Sequence, residues 1–176
     1  MRTLLRCIAT GIAVYSPLAT AEMSVGGSYG EAHPNGQMDD FTTRAASVGF
    51  YKYDPWIFEI NYFDFEEFYD RKYAQSIKAK IVNLQAGLKF EFTPRFSAFA
   101  KLGLSHYSAR YSYDFGIPFG PSERVSERYT GLDILNPALA VEFSPVQHLA
   151  LTLETQALKI DSTHLSLQTL GAKLYF

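Results

Sequence analysis

The sequence predicts an all-β fold, an eight-stranded antiparallel transmembrane β-barrel of up-and-down topology. Three observations point there. The chain ends on a strictly alternating strand, seven further alternating segments precede it, and the connections between segments alternate between short and long. In the closing stretch Leu170, Ala172, Leu174 and Phe176 share one face, while Thr169, Gly171, Lys173 and Tyr175 share the other. Successive side chains of a strand point to opposite faces, so such a strand can meet lipid on one side and a packed polar interior on the other.

The eight segments span residues 23–32, 42–53, 56–68, 77–92, 96–114, 130–143, 148–160 and 164–176. Asp54-Pro55, Thr93-Pro94-Arg95 and Ser144-Pro145-Val146-Gln147 are tight connections; those around residues 33–40, 69–76, 115–129 and 161–163 are mostly longer and richer in Gly, charge and turn formers. Outer-membrane barrels place tight turns on the periplasmic side and longer loops outside, and an even strand count returns both termini to the periplasm.

Alternation assigns the faces. Val82, Leu84, Ala86, Leu88, Phe90 and Phe92 oppose Asn83, Gln85, Gly87, Lys89 and Glu91. Trp56, Phe58, Ile60 and Tyr62 oppose Glu59 and Asn61; Leu139, Val141 and Phe143 oppose Ala138, Ala140 and Glu142; Leu149, Leu151 and Leu153 oppose Ala150, Thr152, Glu154 and Gln156. The polar faces carry isolated charges among small residues, which suits a lumen just wide enough for side chains to fill. A lone buried charge is costly. Glu59, Lys89, Glu91, Lys101, Glu142, Glu154 and Lys173 are therefore expected to pair as a lumen ladder, with Asn61, Asn83, Gln85 and Gln156 satisfying what remains. Tyr53, Trp56, Phe92, Phe96, Phe143, Tyr175 and Phe176 are expected to form an interfacial girdle at the periplasmic side. Pro137 cannot donate to a ladder, and a bulge is expected there.

Residues 1–21 read as a secretory signal peptide, leaving 22–176 as the barrel domain. Arg2 and Arg6 precede an apolar run from Cys7 to Tyr15, and Ala19-Thr20-Ala21 supplies a small-residue cleavage site. The run is too short and interrupted to span a bilayer as a helix. Cys7 is the single cysteine, so the mature chain is expected to hold no disulfide, thiol nucleophile or cysteine ligand. Removing Arg2 and Arg6 turns 16 basic residues into 14 against 18 acidic ones, a net charge of −4 that gives no reason to expect nucleic acid as a partner. A mean hydropathy near zero with 12 Tyr and 14 Phe fits strands that face lipid with every second residue.

The first strand Ser24-Val25-Gly26-Gly27-Ser28-Tyr29-Gly30, the segment from Phe58 to Phe65, the strand Phe99-Ala100-Lys101-Leu102-Gly103-Leu104 and the ending Gly171 to Phe176 together resemble the small eight-stranded, porin-like outer-membrane family typified by the barrel domain of outer membrane protein A and by OmpX. The resemblance covers the mature chain. It implies the outer membrane of a Gram-negative cell, outer-membrane lipid and lipopolysaccharide as surroundings, and Gly171, Leu174 and Phe176 as a C-terminal signal for the barrel-insertion machinery. With the sequence ending at the barrel, the peptidoglycan-binding domain of some relatives is not expected.

His106 and Ser108 are the sharpest catalytic candidates, since residues two apart share a strand face and could serve as base and nucleophile. The pair is similar to the His-x-Ser of outer-membrane lipid A deacylases, but that family carries it near the C-terminus, and Ala109 stands where an Asn is expected. His33, His148 and His164 are too scattered for a metal site, and no cofactor motif is present. Arg71, Lys72, Arg110, Arg124 and Arg128 would lie at or above the outer rim, where phosphate meets guanidinium. The expectation is a non-enzymatic integral barrel serving envelope integrity or surface interaction; a lipid-modifying enzyme and a narrow pore are the alternatives. Deleting Phe176 should lower outer-membrane levels far more than it lowers stability, to which one terminal aromatic contributes only about 1–3 kcal/mol by burial. Normal levels of the truncated protein in a membrane fractionation would remove the insertion-signal role.

Overall fold

The computed structural model describes residues 23–35, 39–53, 55–70, 75–115, 123–161 and 163–176. Nine strands are present: β1 (Met23–Pro34), β2 (Phe41–Tyr53), β3 (Trp56–Phe65), β4 (Phe68–Asp70), β5 (Gln75–Thr93), β6 (Phe96–Phe115), β7 (Glu123–Val146), β8 (Leu149–Ile160) and β9 (Thr163–Tyr175). Each pairs antiparallel with its neighbours in the order β3-β2-β1-β9-β8-β7-β6-β5-β4, and a further pairing of β3 with β5 closes the ring. The three-residue β4 continues the wall of β3 beyond a break at Glu66–Glu67, so the barrel has eight staves and one extra strand. Where the first and last staves meet, the amides of Met23 and Phe176 donate to each other's carbonyls at 3.3 and 2.9 Å. Closure leaves the sheet no terminal edge strand, which is what lets a β-structure cross lipid.

The termini share one end of the barrel with the turns at Pro94–Arg95 and Gln147–His148; the wide connections lie at the other, the loop end. Over the half nearer the termini the expected facing is the observed one. Phe58, Ile60, Leu84, Leu102, Leu139, Leu151, Leu153, Leu170 and Leu174 all project outward, each at least 45 % exposed. Glu59, Asn61, Asn83, Gln85, Lys101, Glu142, Thr152, Gln156 and Lys173 are buried inside. A continuous apolar surface of this extent is not sustainable in water. On β5 the outward apolar residues from Val82 to Phe92 cover about 33 Å of strand, or about 25 Å along the membrane normal at a tilt of about 40°, the height of a bilayer-spanning apolar band.

Toward the loop end the two faces exchange character without any shift of register. On β5 the outward residues become Lys80 and Lys78 beyond Val82, and the inward residues become Ile81, Ala79 and Ile77 beyond Asn83. Phe41, Phe63, Phe65, Phe68, Tyr107, Leu158, Ile160, Leu165 and Leu167 join those three in one buried apolar cluster inside the barrel. Phe41 stacks on Phe68 at 3.8 Å, with Phe65 edge-on at 5.5 Å. Above the lipid the wall thus behaves as a water-soluble barrel, apolar within and polar without. The expectation of a polar lumen throughout is corrected: it holds beside the apolar belt and ends where the outside becomes aqueous.

Three further expectations are revised. The stave expected to start at residue 130 starts at Glu123, because β6 and β7 run on together above the belt. The bulge falls at Leu135 rather than Pro137: Gly103 pairs with Asn136 and Leu104 with Ile134, leaving Leu135 extra, at φ 70 and pointing outward. Tyr175 leaves the girdle; its hydroxyl points inward and donates to Glu142 at 2.6 Å, while Trp56, Phe92, Phe96 and Phe176 do project outward. The signal peptide expected over 1–21 lies outside the described residues. Leu151→Arg, in the apolar belt, should destabilise the folded protein by about 2–4 kcal/mol, whereas Lys78→Gln, outward beyond the belt, should stay within about 0.5 kcal/mol. Denaturant unfolding in lipid vesicles checks the order, and equal costs would refute the placement of the belt.

Candidate functional site

Two polar assemblies stand out, one inside the belt and one just beyond its edge. The inner one centres on Glu59, placed on β3 by the alternation of Trp56 to Phe65. Its Oε2 receives Lys101 Nζ at 2.8 Å from β6, and its Oε1 receives Lys173 Nζ at 2.9 Å from β9. Lys101 also reaches Glu154 Oε2 at 2.5 Å, and Lys173 reaches Glu142 Oε1 at 2.9 Å. Glu142 further accepts from Tyr175 Oη at 2.6 Å and Thr152 Oγ1 at 3.3 Å, and the ammonium of Lys173 lies 5.7 Å from the Phe99 ring centroid. The Lys101 and Glu59 side chains are 1 % and 2 % exposed, so the network fills the narrow lumen from five staves. Space for the Lys173 stem comes from Gly26, where a Cβ would lie 2.8 Å from Lys173 Cγ.

Five of the seven residues expected in the lumen ladder meet in this network. Lys89 and Glu91 instead pair with each other at 2.5 Å near the termini end, with Glu91 61 % exposed. Of the four amides expected to satisfy the remainder, Asn61 donates to Gln85 at 2.9 Å, whereas both polar atoms of the Asn83 and Gln156 carboxamides lack a partner among the described residues. Gln156 stands opposite Ala138 and Leu167, and Asn83 stands opposite Asn61 and Ser105.

The second assembly is a row of cations. Lys78 stands opposite Arg110 and Arg110 opposite Arg128 on adjacent staves, all outward, with Lys80 and Ser108 one step nearer the belt. Together they line a groove of about 370 Å³. Asp64 stands across from Lys80 on β3, but no ion pair joins any of the four cations to a described carboxylate. Like charges directly opposite one another on a sheet repel. An anion lying across the row would remove that penalty. Of the rim residues expected from sequence, Arg110 and Arg128 are in the row; Arg71, Lys72 and the Arg124 side chain lie outside the described residues. Lys78 and Lys80 were not anticipated, although carrying the alternation of β5 past Val82 would have placed them outward. Higher still, burial followed by the charge of Asp161 pushes the Tyr111 hydroxyl up to about 12, and Tyr111 meets Tyr129 edge-on at 5.3 Å.

His106 and Ser108 do share the outward face, one step apart across the belt edge. Cα atoms two residues apart on a strand are separated by about 6.6 Å, and Ser108 Oγ accepts from Arg128 Nε at 2.9 Å rather than engaging His106. Among the described residues no group of three His, Cys, Asp or Glu side chains could hold a metal ion.

Glu59→Gln removes one charge shared by two buried ammonium groups. It should cost about 3–5 kcal/mol in denaturant unfolding, the range for stranding a buried charge; a loss under about 1 kcal/mol would mean the network is not the barrel's interior support.

No protein-family model matches the chain, and no curated protein matches it. Solved structures do. Neisserial surface protein A aligns over 90 % of this chain and 98 % of its own, with a TM-score of 0.63 at 15 % identity. Ail, the attachment invasion locus protein of Yersinia pestis, solved in complex with the heparin analogue sucrose octasulfate, covers 89 % and 97 % with a TM-score of 0.57 at 18 % identity. The N-terminal β-barrel domain of Pseudomonas aeruginosa OprF covers 87 % and 97 %, at 0.54 and 14 %. The likeness is one of fold: the chain has the fold of the small eight-stranded outer-membrane β-barrels.

Proposed function

We propose that this is a non-enzymatic integral barrel of the Gram-negative outer membrane, exported through a cleaved signal peptide, which strengthens the envelope by holding the phosphates of lipopolysaccharide against its wall. The observation that carries the reading is the row Lys78–Arg110–Arg128 with Lys80, which begins one step beyond the last apolar residues of the belt. That is the level at which lipid phosphates lie when the loop end faces outward. Arg offers phosphate two parallel donors and Lys a point charge, so a row of both suits a phosphorylated glycolipid. The lumen network supports the same reading by filling the barrel, which argues against a wide diffusion channel. The engagement of Ser108 by Arg128 places the hydroxyl in the cation row rather than in a base–nucleophile pair, and this supports the reading over a deacylase.

The test is thermal or denaturant unfolding with and without lipopolysaccharide. A ligand present at about 100 times its Kd stabilises the folded state by about 2.7 kcal/mol. The variant carrying Lys78→Ala, Arg110→Ala and Arg128→Ala should lose most of that gain while keeping its stability in neutral lipid, and high salt should weaken the wild-type response. An undiminished response in the variant would reject the phosphate row, and altered lipid A in cells expressing the protein, read by mass spectrometry, would turn the assignment toward an enzyme.

A further inference from the structure

We infer that the seam between β7 and β8 is a binding site for a fatty acid, entered sideways from the bilayer. The ladder joining these strands runs from Val146–Leu149 only as far as Ala138–Gln156. Beyond it, residues 123–137 of β7 pair with β6 alone, and residues 157–160 of β8 pair with β9 alone. The sequence gives the reason for the parting. Pro137 has no amide to donate, and the bulge at Leu135, two residues on, turns the strand away. Two backbone edges therefore face a gap in the wall at the level of the apolar belt, between strands that are each paired on their other side. Unpaired peptide groups in lipid are costly, and a polar group inserted between them lowers that cost.

On the outer surface the gap opens into a groove of about 570 Å³, within the range of small-molecule pockets. Its outer walls are mostly carbon, from Ala86, Ala100, Leu102, Pro137, Leu139 and Ala157, with the outward hydroxyl residues Thr155 and Ser166 beside them. Its inner end holds Gln156, a residue 2 % exposed whose Nε2 and Oε1 have no partner among the described residues. Lys101 borders the same space but is already held by Glu59 and Glu154.

The occupant follows from these groups. The groove is surrounded by bilayer, so the bulk of the ligand is hydrocarbon. Its polar end sits below the cation row, away from the level of phosphates, so the head is small. A carboxamide with both atoms free matches a protonated carboxyl, whose hydroxyl donates to Oε1 while its carbonyl accepts from Nε2. A single-chain fatty acid meets all three conditions, and a phospholipid, with its phosphate held at the headgroup level, does not.

Folded protein in phospholipid vesicles, irradiated with a photoactivatable palmitate analogue and digested for mass spectrometry, tests the site. Label should concentrate on residues 135–139 and 155–158 and be displaced by excess palmitate. Ala157→Phe and Ala100→Phe fill the groove from outward, lipid-facing positions and should each lower labelling about tenfold, equivalent to about 1.4 kcal/mol of binding. Labelling is read on the folded species, separated by its shifted mobility in an unheated denaturing gel, so a misfolded variant is not counted. Label spread around the belt in proportion to exposed apolar surface, or unchanged in both Phe variants, would overturn the proposal.

Discussion

A β-strand gives its side chains no freedom to choose a face, and a bilayer gives its backbone no partner except another strand. These two constraints together shape the molecule. Eight staves must close into a ring, and each must then carry through lipid and through water a residue order that suits both its outside and its inside at every level. The chain meets this by exchanging the character of its faces near Val82 while keeping the strand continuous. Lys78 and Lys80 turn toward water because Ile77, Ala79 and Ile81 turn inward, and the interior becomes apolar where the exterior becomes polar. Above Ala138–Gln156 the backbone constraint is relaxed, and there Pro137 and the left-handed Leu135 interrupt β7.

Inside the belt the alternating strands turn their polar residues into a narrow lumen, where the charges among them must be paired. The answer is a compact network in which one carboxylate, Glu59, is shared by two ammonium groups drawn from distant staves, Lys101 and Lys173. Such a cluster stabilises little relative to an apolar filling, because both charges are desolvated, but it is demanding of geometry. It ties β3, β6, β7, β8 and β9 to one arrangement. The apolar plug above it, built on Phe41, Phe65 and Phe68, is tolerant of geometry by comparison and supplies area.

How much of this was legible in the sequence follows the same division. The facing of Leu84 against Asn83, or of Leu153 against Thr152, is read directly from alternation, as is the inward aim of Glu59, Lys101 and Lys173. Alternation gives two faces without saying which is outside, so the stretch Ile77 to Ile81 looks like more of the same strand, and the exchange of faces passes unseen. Residues 123–129 read as a loop because their charges suit water, which is true, yet they are paired to β6 all along. The cation row was half visible, since Arg110 and Arg128 are conspicuous. Only the register of three strands shows that Lys78 stands beside them. The bulge at Leu135 carries no Gly or turn former to mark it, and Pro137 pointed to within two residues of it.

The cation row on β5, β6 and β7 bears on how the barrel reaches its membrane. With the loops leading, Lys78, Lys80, Arg110 and Arg128 must each be carried through hydrocarbon on the outward surface, at about 2–4 kcal/mol apiece near the midplane. The barrier is as high from the far side as from the near one. Once the barrel is across, that same barrier holds it at one depth and in one orientation.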